Sequence, residues 1–352
     1  MKAIKIITMA FITLLMASCG TYYRMVTTLD RDGNVIREVY ADGDSAFMAG
    51  NMSHNPYLFD ISSDWEIIRY DSASIYTFFG TEKSINVKVS KKTYSIDLFS
   101  QELRCQEDTK SFAAPEETLI KRHRFFYTNY TLTTVYKKLG YSAPIPIDKY
   151  LSEEERRLWT QGGFGSYETM NGSEMNDMLD GIEAKFMDWY SRNCFEISLN
   201  SIKTWSEQEI SDVDKDQIYK QLFEKHQGMD IIPEKICDTL DVFYKTTRFS
   251  ELYRMNNESI DHEFERATLV INQIANVISY EVVLPGKVIR TNAPVTAHNS
   301  LTWKIDGMRI LFDDYTLTAE YRIVNKWSFI LCALILIASV VSTVLLFRRR
   351  IV

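Results

Sequence analysis

The chain has 352 residues, with 40 basic against 47 acidic side chains, a net charge of −7, and 45% hydrophobic and 13% aromatic residues. An acidic balance of this kind repels polyanions and argues against nucleic-acid binding. With only 14 glycines and 7 prolines and no low-complexity stretch, the chain is also unlike a disordered or linker-rich protein.

At the N-terminus, Lys2 and Lys5 precede an apolar run of 11 residues, Ile6 to Met16. That run is too short to span a bilayer and has the length of an export signal. Ala17 and Ser18 then lead into Cys19. Small residues before a cysteine predict cleavage by a lipoprotein signal peptidase, with Cys19 as the acylated first residue. Residues 1–18 are thus read as a lipoprotein signal peptide, although Leu15 stands one place ahead of the usual lipobox position. A plain cleaved signal with an incidental cysteine is the alternative.

Residues 19–139 are read as the β-rich first part of an ectodomain. Arg24–Leu29 and Val35–Tyr40 flank Asp30-Arg31-Asp32-Gly33-Asn34, a turn between β-branched runs that predicts a hairpin. The Asp-x-Asp-Gly run fails as a calcium loop, because Ala41 stands where a bidentate Glu is needed. Further strands are expected at Trp65–Tyr70, Ser84–Val89 and Thr93–Leu98. Residues 116–139, rich in Thr and aromatics, are read as one long strand. It carries Lys121-Arg122-His123-Arg124 and then Phe125, Phe126, Tyr127, Tyr130 and Tyr136. Phe125, Tyr127, Tyr130 and Tyr136 are the candidate residues for lining a ligand groove; packing within a sheet is the plainer role for the same side chains.

Residues 140–265 are read as a helical insertion. Ser152 with Glu155 forms a capping-box pattern for a short helix through Trp159. The glycine-rich Gln161–Ser166 break lacks the Lys-Ser/Thr ending of a phosphate loop. Ser173 is the expected start of an amphipathic helix with Met175, Met178, Leu179, Ile182, Phe186, Trp189 and Tyr190 on its inner face. Ser206 and Glu209 suggest a cap for another helix with Ile210, Val213, Leu222 and Phe223 inward. Pro233 suits the first turn of a third, carrying Ile236, Leu240, Phe243 and Tyr244.

Residues 266–326 return to β structure. Asn276–Leu284 is read as a strand turned by Pro285-Gly286. Val288–Arg290, Leu301–Lys304 and Tyr315–Val324 are expected to complete a meander. The order β, helices, β predicts an α+β fold, a mainly antiparallel sheet from N- and C-terminal strands with a helical insertion.

Trp327–Phe347 is an uncharged apolar run of 21 residues. A helix of that length covers roughly 30 Å, the thickness of a bilayer's hydrocarbon core. Residues 327–347 are therefore read as a transmembrane helix, with Trp327 at one interface. Arg348, Arg349 and Arg350 begin a short tail, 348–352, which the positive-inside rule assigns to the cytoplasm. Both ends then place the ectodomain on the outer, periplasmic side of a bacterial cytoplasmic membrane. Without the two leader lysines and the three terminal arginines, 35 basic residues face 47 acidic ones. Such a body is held off an anionic bilayer, over a range that salt limits to about 10 Å.

No H-E-x-x-H, G-x-S-x-G or G-x-G-x-x-G motif is present, and the five histidines are scattered. Asp261-His262-Glu263 are sequence neighbours and do not converge on a metal. Cys105, Cys194 and Cys237 allow at most one bridge and form no C-x-x-C. Neither enzyme activity nor a cofactor or metal is expected.

The run V-V-L-P-G-K-V-I-R-T-N-A from Val282 to Ala293 resembles LppM-type bacterial lipoproteins, in which a strand enters Pro-Gly and then an Asn-small turn. Asn299-Ser300-Leu301-Thr302-Trp303 resembles their following Asn-x-apolar-x-Trp strand. Ala319 to Asn325 resembles a later strand ahead of the membrane helix. Residues 140–260 depart from the pattern as an insertion. The resemblance implies an envelope domain with a lipid-binding cavity and brings no binding residue with it. The function expected is a membrane-tethered envelope lipoprotein binding a lipid or other apolar ligand. A non-catalytic protein docking an envelope partner is the alternative.

Overall fold

The computed structural model describes residues 22–57, 59–76, 82–102, 115–162, 170–206, 210–226 and 231–351. Residues 1–21, Cys19 among them, and Cys105 lie outside the described residues. The fold is α+β and divides into two compact units, one drawn from both ends of the chain and one from Leu139–Ile274. The helical unit therefore runs past residue 265, the end expected from the sequence.

The first unit holds the strands. These are β1 (Tyr22–Leu29), β2 (Val35–Ala41), β3 (Glu66–Tyr76), β4 (Glu82–Thr93), β5 (Glu116–His123), β6 (Tyr127–Tyr136), β7 (Val277–Val283), β8 (Lys287–Thr291), β9 (Val295–Ala297), β10 (Ser300–Asp306) and β11 (Tyr315–Val324). A seven-stranded sheet has the order β3-β4-β2-β1-β7-β10-β9, and a four-stranded sheet has the order β5-β6-β11-β8. Neighbours are antiparallel except β1 and β7, which run parallel from Tyr22 opposite Val277 to Thr28 opposite Val283. The N-terminal and C-terminal strands thus meet twice, through β1 and β7 in the larger sheet and through β6 and β11 in the smaller.

The period of two puts Val35, Arg37 and Val39 of β2, Tyr280 and Val282 of β7, and Leu301 and Trp303 of β10 on one buried face. Across from them lie Tyr130, Leu132 and Tyr136 of β6 and Leu317, Ala319 and Tyr321 of β11, also buried. The two inner faces make the core of this unit, each large apolar side chain contributing about 1.5–3 kcal/mol by leaving water.

Three expectations need correction here. Residues 116–139 are two strands, not one. The chain reverses at Phe125-Phe126, closed by the Arg124 N–H donating to the Tyr127 carbonyl at 2.8 Å. No glycine or asparagine announces that turn, which is held instead by Asn325 (below). Second, Thr93–Leu98 is not a strand: Thr93 Oγ1 donates to the Ser95 carbonyl at 2.8 Å, and Asp97–Glu102 is helical. Ile96 and Phe99, both buried, are three residues apart, a helical spacing. Third, the C-terminal strands do not form one meander. Pro285-Gly286 carries the chain from the larger sheet into the smaller, where β8 and β6 flank β11. A Cβ on Gly286 would lie 2.4 Å from the Arg322 carbonyl oxygen, so only glycine permits this crossing.

The helical unit contains α1 (Glu153–Gln161), α2 (Gly172–Lys203), α3 (Asp212–His226), α4 (Pro233–Tyr244) and α5 (Arg248–Asn272). Ser152 and Glu155 make the expected capping box on α1. The cap of α2 is Asn171 rather than Ser173, with Glu174 completing a second capping box. Ile182, Phe186 and Trp189 are buried as the helical spacing requires. Ser211 caps α3, its hydroxyl accepting the Asp214 N–H at 3.2 Å. Val213 was expected inward and is 67% exposed, whereas Ile218 and Leu222 turn into the core. Phe195, Leu199, Ile202, Ile218, Ile236, Leu240 and Ile260 belong to one cluster drawn from α2 to α5. Asp241 of α4 caps α5, accepting the N–H groups of Phe249 and Ser250 at 2.9 Å each.

A single residue, Asn325, separates β11 from the last helix, α6 (Lys326–Ile351). Lys326–Leu346 is long and apolar enough to cross a membrane, with mean hydropathy 2.9 over its most apolar window and none of that window buried. Arg348, Arg349 and Arg350 extend this helix; their side chains lie outside the described residues.

Candidate functional site

Three places in the described residues gather side chains with chemistry: the interior between the two sheets, the β5–β6 turn beside α6, and a groove in the helical unit.

Between the sheets, Arg37 of β2 and Glu117 of β5 pair at 2.8 Å with neither side chain exposed. Arg37 Nε donates to Thr27 Oγ1 at 3.0 Å, and its guanidinium lies 4.4 Å from the Phe99 ring centroid. Glu117 Oε1 also accepts from the Tyr280 hydroxyl at 2.9 Å and the Thr134 hydroxyl at 3.4 Å. Burial acts to lower the Arg37 pKa, but the neighbouring Glu117 carboxylate prevails and holds it above its ordinary value. Burial and then the Glu117 charge push the Tyr280 hydroxyl up. The group is a charge-neutral pair withdrawn from solvent, in which Arg37 Nη1 and Glu117 Oε2 make no hydrogen bond of their own.

The four candidate lining residues do not meet on one groove. Tyr136 is fully buried, its hydroxyl raised by burial and by the Tyr280 and Glu117 charges. Tyr130, on the same face, stacks on Tyr321 of β11 with centroids 4.8 Å apart and rings 4° from parallel. Tyr127 points to the other face, where the Arg322 guanidinium sits 4.7 Å from its ring centroid. Phe125 stands 46% exposed on the turn. The crevice between the sheets, lined by Leu132, Thr134, Tyr280, Val282, Trp303 and Leu317 among others, measures about 150 Å³ and is too narrow for a water molecule. Tyr130, Tyr136 and Tyr321 serve the inner face, which needs bulk that a ring supplies.

The β5–β6 turn is tied to the start of α6. Asn325 Nδ2 donates to the carbonyls of Arg124 at 2.7 Å and Phe125 at 3.2 Å. The Asn325 N–H donates to the Phe126 carbonyl at 2.9 Å, and Thr128 Oγ1 donates to Asn325 Oδ1 at 2.8 Å. Phe125 packs edge-on against Trp327 at 5.3 Å, and Phe126 lies 5.1 Å from Phe329. Sequence reasoning singled out Phe125 and Trp327 separately; nothing in their spacing, 202 positions apart, foretold that they touch.

In the helical unit, Glu258, Ser259, His262, Glu263 and Arg266 follow one face of α5, and with Trp205 they line an open groove of about 470 Å³. Thr204 Oγ1 donates to Glu263 Oε2 at 3.4 Å. Trp205 is 42% exposed. The mixture of one large ring, both charges and a hydroxyl suits contact with a polar surface. Among the described residues, no group of three or more His, Cys, Asp or Glu could hold a metal ion. Cys194 and Cys237 are free and buried; burial lifts their thiols to about 11 and about 12.

No protein-family model and no curated protein matches the chain. The NMR structure of the folded domain of Mycobacterium tuberculosis LppM is similar to it at a TM-score of 0.27 and 10% sequence identity, covering 88% of this chain and 92% of that one. The chain therefore bears a weak structural resemblance to the LppM folded domain, one that extends to neither a ligand nor any site residue.

Proposed function

We propose that this chain is a non-catalytic envelope lipoprotein, tethered to a membrane, whose ectodomain engages lipid. The observation that carries the reading is the direct run from β11 into α6: one residue separates a sandwich strand from an apolar helix of 21 residues. The leader ending at Cys19 supports a second, acyl anchor, since one chain alone holds only marginally. Arg348, Arg349 and Arg350 support a cytoplasmic C-terminus, with the ectodomain outside the cytoplasmic membrane. Among the described residues, the crevice between the sheets is too narrow for water, which favours lipid engaged on the outside of the sandwich over lipid enclosed there.

The test is fractionation with native mass spectrometry. Exchange of residues 1–19 for a signal peptide that is cleaved without acylation should leave the protein in the membrane, deletion of 326–352 should weaken its hold, and the two together should release it. Gently extracted protein should retain envelope lipid. A doubly altered chain that stays membrane-bound would refute the two-anchor reading, and a lipid-free spectrum would refute lipid engagement.

A second reading, docking of an envelope protein partner, is favoured by the exposed groove around Trp205 and Arg266, residue types enriched where proteins meet. A photocrosslinker replacing Ser259 should then trap one stoichiometric partner in cells; adducts to no protein above background would count against it.

A further inference from the structure

Taken as a whole the extramembrane chain is acidic, yet from Thr118 to Lys138 it contains no carboxylate. Lys121, Arg122 and Arg124 are exposed along the end of β5 and the turn, and Lys326 is exposed at the start of α6. Glu320 is the nearest carboxylate on β11, and it precedes the turn-holding Asn325 by five positions. At the tip, Phe125 and Phe126 are 46% and 40% exposed, an unusual pair for the open end of a hairpin in water. Their rings touch at 4.8 Å in a T shape and continue without a break onto Trp327 and Phe329.

The depth of these rings is set by the helix. Trp327 and Phe329 are the second and fourth residues of the span Lys326–Leu346. At about 1.5 Å of rise per residue, Phe329 lies roughly 4–5 Å along the axis beyond Lys326. A helix of this length matches the hydrocarbon core with little to spare, so its first turn falls at the boundary between headgroups and acyl chains. The hydrogen bonds from Asn325 to Arg124, Phe125 and Phe126 leave the turn no freedom to withdraw. Aromatic rings favour this boundary, and cations next to them meet lipid phosphates.

We propose that the β5–β6 turn is a second membrane contact, with Phe125 and Phe126 inserted in the leaflet that the first turn of α6 enters and Lys121, Arg122, Arg124 and Lys326 on anionic headgroups. The occupant of this apolar tip is the bilayer itself, by continuity with the spanning helix. The contact rests on the tethered reading above, and goes beyond it by adding a docked strand pair. It would fix the attitude of the sandwich on the membrane, which one flexible anchor could not do. The overall acidity then acts with it: the acidic remainder is repelled by the surface that the basic edge attracts.

The test uses the full chain in vesicles of phosphatidylethanolamine and phosphatidylglycerol, with a photoreactive residue replacing Phe125 and, as control, the 78% exposed Tyr94. An unchanged urea midpoint certifies folding of each. The expected result is a lipid adduct from position 125 at least about tenfold above position 94, reduced several-fold when phosphatidylcholine replaces the anionic lipid or in R122E/R124E. If alkaline carbonate leaves the chain in the vesicles and position 125 forms no lipid adduct, the contact is refuted and the tether stands. If carbonate strips the chain off, the tether fails and the contact with it.

Discussion

Arg37 and Glu117 face each other at 2.8 Å from opposite sheets, and each is wholly withdrawn from water. Taking one partner away leaves the other charged in a dry interior. R37M and E117L should each destabilise the sandwich by about 3–5 kcal/mol, and R37M/E117L should cost less than either, since it removes both charges together. Urea unfolding followed by aromatic fluorescence measures all three. Near-additive losses in the double variant would show that the pair does not act as a unit.

How far the sequence foretold this fold depends on whether the determining contact is local. The α1 capping box, Pro233 at the first turn of α4, the Asp32-Gly33 hairpin and the apolar α6 each read correctly, because their causes lie within a few residues. The turn at Phe125-Phe126 was missed because its cause is Asn325, about 200 positions away. The burial of Arg37 has no local signal, because only the distant Glu117 makes it tolerable. Of the candidate lining residues, aromatic content was legible and direction was not, since a break in the strand resets which side chains share a face.

The cap that Asp241 places on α5 binds two consecutive helices of the insertion together. D241A should cost about 1–2 kcal/mol, and D241N about half of that, because one amide oxygen can still accept. Hydrogen exchange should show faster opening at Phe249 and Ser250, the two N–H groups that lose their acceptor. Unchanged protection at both would contradict the assignment.

Several carboxylates should make the protein acid-labile. The Lys138 N–H and the Lys137 ammonium hold Asp314 below its ordinary 3.8. Lys185 and the Ser152 N–H do the same for Glu155, below 4.5. Burial acts to raise Glu38, but Lys88 and Tyr40 outweigh it and bring it down. Each folded pKa lies under its unfolded value, so their stabilisation is complete above about pH 5 and disappears as pH falls through the folded values. Unfolding free energies at pH 7, 5, 4 and 3 should show that fall only below about pH 4.5, with a shallower slope in D314N.

Cys194 and Cys237 should resist alkylation in the folded protein. Burial raises Cys194 to about 11 and Cys237, with Asp241 and Asp238 adding to the effect, to about 12. At pH 8 both should react with iodoacetamide roughly a hundredfold or more slower than in urea. Peptide mass spectrometry reads each site separately, and rapid native labelling of either would show its helix opening often.

The parallel pairing of β1 with β7 has a consequence for the order of events during synthesis. β1 is made early and waits without its neighbour until the whole helical unit has been translated, while that unit, continuous in sequence, can close on its own in the meantime. An early strand with a bare edge invites wrong pairing. The last strand to arrive, β11, is followed after one residue by the apolar helix. In the tethered reading, sealing the sandwich and delivering the chain into the lipid are thus the same late step, and a ribosome that stops short of Tyr315 would yield a product that is both unsealed and unanchored at that end.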